Sequence, residues 1–147
     1  MSQRSRHDVW VVEDDRALMQ GLLTLMGEHG FRTRGFTDPS RALREALRRP
    51  PRVLVTDYKM PGLDGVELAR RLREELGPEV PRLYLVSGER LRRVELTHFD
   101  QVMRKPFRFH DLLAIIDRNL AGPRRPASHR RMRRVGPRSK AVGGEDR

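Results

Sequence analysis

Short apolar runs alternate with amphipathic stretches from Val9 to Leu120, and this alternation limits the fold more than any other feature of the chain. Val9-Trp10-Val11-Val12 reads as a fully buried strand, and Val53-Leu54-Val55 and Leu83-Tyr84-Leu85-Val86 read the same way. Phe31 to Phe36 is more polar and predicts a strand nearer an edge, and Val102-Met103 predicts a weak fifth strand. Between them lie helical patterns. Leu18, Leu22, Leu25 and Met26 mark the first, closed by Gly30. Asp38-Pro39 starts the second, with Ala42, Leu43, Ala46 and Leu47 expected to face inward. Asp64-Gly65-Val66-Glu67 has the form of a capping box ahead of Leu68, Ala69, Leu72 and Leu76. Residues 89–97 are weakly helical, and Leu112 to Leu120 form a clear last helix. Strand and helix in strict turn predict an α/β domain around a parallel sheet.

In such a sheet all strand carboxyl ends share one edge, where ligands bind. The first strand ends at Glu13 and Asp14, the third at Asp57, the fourth at Ser87 and the fifth at Lys105. These residues are therefore expected to converge. Carboxylates crowded together repel unless a cation sits among them, and hard oxygen donors suit Mg²⁺. A hydroxyl and an ammonium beside them can bind phosphoryl oxygens, so the set has the chemistry of a phosphoryl-transfer site. Taken singly each residue has a plainer role. Asp14 or Asp15 can cap the first helix, Asp57 and Ser87 can be turn residues, and Lys105 can be a surface charge. Asp15 and Asp64 are read as helix caps.

Charge and composition set the limits. Of the net +11, +7 falls in residues 122–147, which interleave arginines with Pro, Gly and Ser and contain no aromatic residue. Residues 122–147 and 1–7 are expected to be disordered flanks of a domain over 8–121. With no cysteine there is no disulfide, no Cys-ligated zinc and no thiol chemistry. No apolar run is long enough for a membrane span, and the polar N-terminus lacks a signal peptide, so the expected location is cytoplasmic. GxxxxGK, HExxH and GxSxG motifs are absent, and the five histidines show no ligand spacing and read as surface residues.

Four segments, Val11-Val12-Glu13-Asp14-Asp15, Asp57 to Gly65, Val86-Ser87-Gly88 and Lys105-Pro106-Phe107, together resemble the CheY-like receiver domain of two-component response regulators. The resemblance covers residues 8 to about 121. It implies a flavodoxin-like, three-layer, doubly wound sheet of five parallel strands in the order 2-1-3-4-5. It implies that Asp57 accepts a phosphoryl group from a histidine kinase or a phosphotransfer protein, with Mg²⁺ as cofactor. The metal would be bound directly by Asp14 and Asp57, by the backbone carbonyl of Lys59, and by Glu13 through water. Ser87 and Lys105 would contact the phosphoryl group, and the Lys105-Pro106 peptide would be cis. Lys59 and Glu89 each follow a site residue by two positions and are expected to tune the lifetime of the phosphorylated state.

Two departures from the family pattern stand out. The usual aromatic three positions before the lysine is Val102, with Phe99 the nearest aromatic. The segment from Ser87 to Lys105 is about one helical turn short, which predicts a shortened fourth helix. The leading expectation is a response regulator that switches a protein–protein interaction and is no conventional enzyme, since it acts on its own Asp57. The alternative is a nucleic-acid-associated regulator whose basic tail binds DNA or RNA nonspecifically. A pseudo-receiver that takes no phosphate is the third.

Overall fold

A computed structural model describes residues 8–120. The expectations for 1–7 and 122–147 lie outside the described residues. Five strands, β1 (Asp8–Val12), β2 (Arg32–Phe36), β3 (Val53–Asp57), β4 (Arg82–Ser87) and β5 (Gln101–Arg104), form one sheet in the order β2-β1-β3-β4-β5. Every pairing is parallel. The intervening helices are α1 (Arg16–Glu28), α2 (Pro39–Arg48), α3 (Gly65–Leu76), α4 (Arg93–Leu96) and α5 (Phe109–Leu120). Helix α4 is a single turn, as the short Ser87–Lys105 spacing predicts. This is the flavodoxin-like architecture, with β2 and β5 at the edges, where the sequence is least apolar.

Alternation along the strands divides the core between the two faces of the sheet. On one face Val9, Val11, Val55, Tyr84 and Val86 pack with Met19, Leu22 and Met26 of α1 and Leu112 and Ile116 of α5. On the other, Trp10, Val12, Leu54 and Leu83 pack with Ala42, Leu43 and Ala46 of α2 and Leu68, Ala69 and Leu72 of α3. Burial of each large apolar side chain contributes roughly 1.5–3 kcal/mol. Two details differ from the sequence expectation. In α1 the innermost residue of the first turn is Met19, with Leu18 and Leu25 only half-buried, because the helix is rotated to meet β2 as well as β1. Leu47 is 37% exposed, because it lies in the last turn of α2, where no described residue covers its outer side.

Acidic caps fix the helix starts. Asp15 accepts from the Leu18 N–H (3.1 Å), Asp38 from Ser40 (3.0 Å) and Asp64 from Glu67 (2.8 Å). Each such cap is worth about 0.5–2 kcal/mol. The capping box at Asp64 is only half made. The Glu67 carboxylate takes hydrogen bonds from Arg70 and Arg71 instead of reaching back. Gly30, at φ 104°, ends α1 in a conformation that side-chain-bearing residues rarely adopt. Among the described residues no helix is long and apolar enough to cross a membrane.

Candidate functional site

The parallel register brings the predicted residues to one edge. Val12 pairs with Thr56, so Glu13 follows β1 beside Asp57 at the end of β3. Ser87 pairs with Arg104, which sets Lys105 at the same level on the next strand. Carboxylate oxygens of Glu13, Asp14 and Asp57 lie within 4.8 Å of one another. Glu13 and Asp57 are buried, whereas Asp14 is exposed. Backbone groups hold two of the acids. The Asp15 N–H donates to Glu13 Oε2 (3.1 Å), and the Tyr58 N–H donates to Asp57 Oδ1 (2.8 Å). Glu13 Oε1 is buried and receives no hydrogen bond.

Lys105 is the cation at this cluster. Its Nζ lies 3.3 Å from Asp57 Oδ1 and 3.5 Å from Glu13 Oε1, and the Lys105–Pro106 peptide is cis. Burial pushes the Glu13 carboxyl up to about 7. The Asp15 N–H opposes that rise, the Asp57 charge adds to it, and Lys105 opposes it. Partial burial works against the Lys105 charge. Glu13 and Asp57 together outweigh it, so the ammonium is held above its ordinary range. One ammonium thus faces three carboxylates, and the site has room in its electrostatics for a further cation. An all-oxygen donor set whose buried Glu13 Oε1 has only the Lys105 ion pair and no hydrogen bond fits a hard divalent ion such as Mg²⁺.

Ser87 is buried at the same edge, but its hydroxyl is turned to the following loop. It donates to the Glu89 carbonyl (3.1 Å) and accepts from the Glu89 N–H (3.0 Å). Its own carbonyl accepts from the Lys105 N–H (2.8 Å), which ties β4 to the lysine. Lys59 and Glu89 meet across the mouth, Nζ to Oε2 3.3 Å, both well exposed.

Sequence reasoning passed over Gly65 as anything more than part of a cap. A Cβ there would come 2.1 Å from the Asp57 carbonyl oxygen, and the Gly65 N–H donates to the Tyr58 carbonyl (2.8 Å). The start of α3 therefore rests directly on the backbone that carries Asp57. The signal was present as a glycine at the first helical position, where a better helix former would be expected. The aromatic question also has a structural answer. Phe99 is half-buried against the cluster on the α2–α3 face. Val102 is 37% exposed and lines a cleft with Glu89, Leu91, Leu96 and Arg104. Phe99 thus does not occupy the position that Val102 leaves without a ring. Among the histidines, His98 departs from the surface reading. It is half-buried, and burial, then Arg73 and Arg70, hold its pKa below the ordinary value.

Residues 9–117 match the response regulator receiver domain. The chain is 34% identical over 112 residues to the response regulator MprA of Mycobacterium leprae, which covers 74% of this chain. It spans about half (48%) of that relative's length. The receiver domain of Francisella response regulator 1452 superposes with a TM-score of 0.72 at 25% identity, covering 78% of this chain and 97% of that one. The receiver domain of a Pseudomonas aeruginosa sensor histidine kinase, solved with a magnesium ion coordinated in its active-site cleft, has the same fold. Its TM-score is 0.70 at 24% identity, covering 79% and 98% of the two chains. With the fold, the strand-end residues and the matched segment in agreement, this chain belongs to the response regulator receiver domain family.

Proposed function

We propose that the chain is a phosphorylation-controlled switch in which Asp57 accepts a phosphoryl group from a histidine kinase or phosphotransfer protein. The observation that carries the reading is Lys105 Nζ, 3.3 Å from Asp57 Oδ1, beside carboxylate oxygens of Glu13, Asp14 and Asp57 gathered within 4.8 Å of one another. An Asp57 oxygen attacks the donor phosphorus, a P–O bond forms, the P–N bond of a phosphohistidine breaks, and the imidazole leaves with the electron pair. Asp14 and Asp57 would hold Mg²⁺ directly, with the Lys59 backbone carbonyl, and Glu13 through water. Bound there, the ion would neutralise charge on the carboxylate and phosphoryl oxygens. Lys105 pairs with a phosphoryl oxygen. Ser87 leaves the Glu89 backbone to donate to another. Because these contacts exist only in the phosphorylated form, they favour one arrangement of the 88–92 loop, and the bias is read by a protein partner. Hydrolysis returns Asp57 to its carboxylate, so the chain acts on itself and on no separate substrate.

The test is phosphoryl uptake from a small phosphodonor, followed by intact-mass spectrometry. One adduct is expected with Mg²⁺ and none with a chelator. Asp14→Ala should weaken uptake far more than Asp15→Ala, whose carboxylate is occupied in capping α1. Equal effects of the two substitutions would contradict the assignment of Asp14.

A further inference from the structure

We infer that the outer face of α2, together with edge strand β2, binds the phosphodiester backbone of duplex nucleic acid through charge. This surface is remote from the phosphorylation site. Helix α2 runs back against the strands, so its last turn lies at the opposite edge of the sheet, near the start of β1 and β3. Residues 34–52 hold six arginines against two acids, while the other described residues hold fourteen basic and sixteen acidic residues. The positive charge of the described residues is therefore concentrated in this one segment.

Three of these arginines lie along one line of α2 and are exposed. Arg41, Arg44 and Arg48 recur at spacings of three and four, and all are exposed. Arg41 to Arg48 spans about 10.5 Å along the helix axis, or about three base-pair steps of duplex. Arg34 extends the surface onto β2. Its guanidinium is stacked 4.7 Å from the Phe36 ring centroid and 5.2 Å from that of Trp10, which holds the group in place. Arg34, Arg48 and Arg49 line a cleft of about 420 Å³ with Trp10 and Glu45. Glu45 is the only acid within it and is already shared by Arg34 (3.4 Å) and Arg48 (3.8 Å). Arg44 and Arg49 make no ion pair among the described residues.

Attraction to the negative C-terminus of α2 accounts for Arg48 and Arg49. It does not account for Arg41 and Arg44, which lie too far from that end. A linear row of cations along an exposed helix suits a linear polyanion better than a small anion, which needs a closed site. No exposed aromatic ring or fixed base-reading element accompanies the row, so binding should be insensitive to sequence.

The experiment titrates full-length protein against unrelated fluorescent DNA duplexes across a salt series. Three proteins are compared: the unsubstituted chain, Arg44→Gln/Arg48→Gln/Arg49→Gln, and a control of equal charge, Arg93→Gln/Arg108→Gln/Arg118→Gln. All six positions are exposed. Losing three phosphate contacts should flatten the log–log salt dependence by about 2.7. Between 50 and 200 mM salt the unsubstituted chain should thus lose about 40-fold more affinity than the α2 variant. The control should keep the original slope. Equal slopes for the α2 variant and the control would overturn the inference, as would strong preference for one duplex. Binding of poly-glutamate in place of DNA would overturn it in favour of an acidic protein. Retained phosphorylation at Asp57 in the α2 variant would show it folded, and keeps this inference separable from the phosphorylation reading.

Discussion

The Ser87 hydroxyl is bonded twice to the backbone of Glu89, as donor to its carbonyl at 3.1 Å and acceptor from its N–H at 3.0 Å. A hydrogen bond from Ser87 to a phosphoryl oxygen has to replace the one it donates to the Glu89 carbonyl, which loosens the tie to the loop that leads into α4. With Val102 lacking a ring and Phe99 packed in the α2–α3 face, the proposed switch predicts that a change at Asp57 reaches the surface through this loop. Amide shifts measured with and without a beryllofluoride phosphate mimic should be largest from Ser87 to Leu91. Changes centred on Phe99 would contradict this route.

The Lys59–Glu89 pair stands at the mouth of the same site. The side chains are 70% and 48% exposed, so the pair contributes no more than about 1 kcal/mol to stability. Its effect should be kinetic, by restricting the water that attacks the phosphoryl group. Lys59→Ala and Glu89→Ala should each shorten the phosphorylated lifetime several-fold, and the double variant should be no faster than the quicker single one. Unchanged dephosphorylation rates in both single variants would remove the pair from the mechanism.

Gly65→Ala should damage the site through packing alone. The added methyl would lie 2.1 Å from the Asp57 carbonyl oxygen, so either α3 or the end of β3 has to move. Overpacking of this kind typically costs about 1–3 kcal/mol. Denaturant unfolding should show a lowered midpoint, and phosphoryl uptake should fall although no acid has been changed. Full activity at unchanged stability would mean that α3 yields freely there.

Lys105→Met removes the only ammonium in contact with Glu13 and Asp57 among the described residues. The two buried acids then repel without relief, and the variant should unfold at lower temperature in metal-free buffer. A cation bound to the native state should restore part of the loss, because a ligand stabilises by RT ln(1 + [L]/Kd). Thermal scans with and without Mg²⁺ should therefore show a larger metal-dependent rise for the variant than for the unsubstituted chain. An equal rise in both would argue against the ion and Lys105 sharing those carboxylates.

Much of this architecture was legible in the chain. Val9–Val12, Val53–Val55 and Leu83–Val86 are buried on both sides, and only a central parallel strand needs such uninterrupted apolar runs. In a parallel sheet their ends then place Glu13, Asp14, Asp57 and Ser87 on one edge, and the weaker fifth strand adds Lys105. Even the Lys59–Glu89 contact followed from each residue lying two positions past a strand end. What was not legible depends on how elements meet. The choice of Met19 over Leu18 is a rotation of α1, and the exposure of Leu47 is a matter of where α2 ends. The role of Gly65 is a backbone approach that leaves no mark in hydrophobic periodicity. The hydroxyl of Ser87 has several partners within reach, and the sequence does not rank them.

Asp57 as the single phosphoryl acceptor is the claim on which the rest depends, and mass spectrometry tests it directly. The protein is incubated with a small phosphodonor and Mg²⁺, trapped by reduction, and mapped by peptide. One modified residue is expected, Asp57, and no adduct in Asp57→Asn although Asp14, Glu13 and Lys105 are intact. A phosphoryl group of the same stoichiometry on Asp57→Asn, or one mapped to any other residue of the unsubstituted chain, would contradict it.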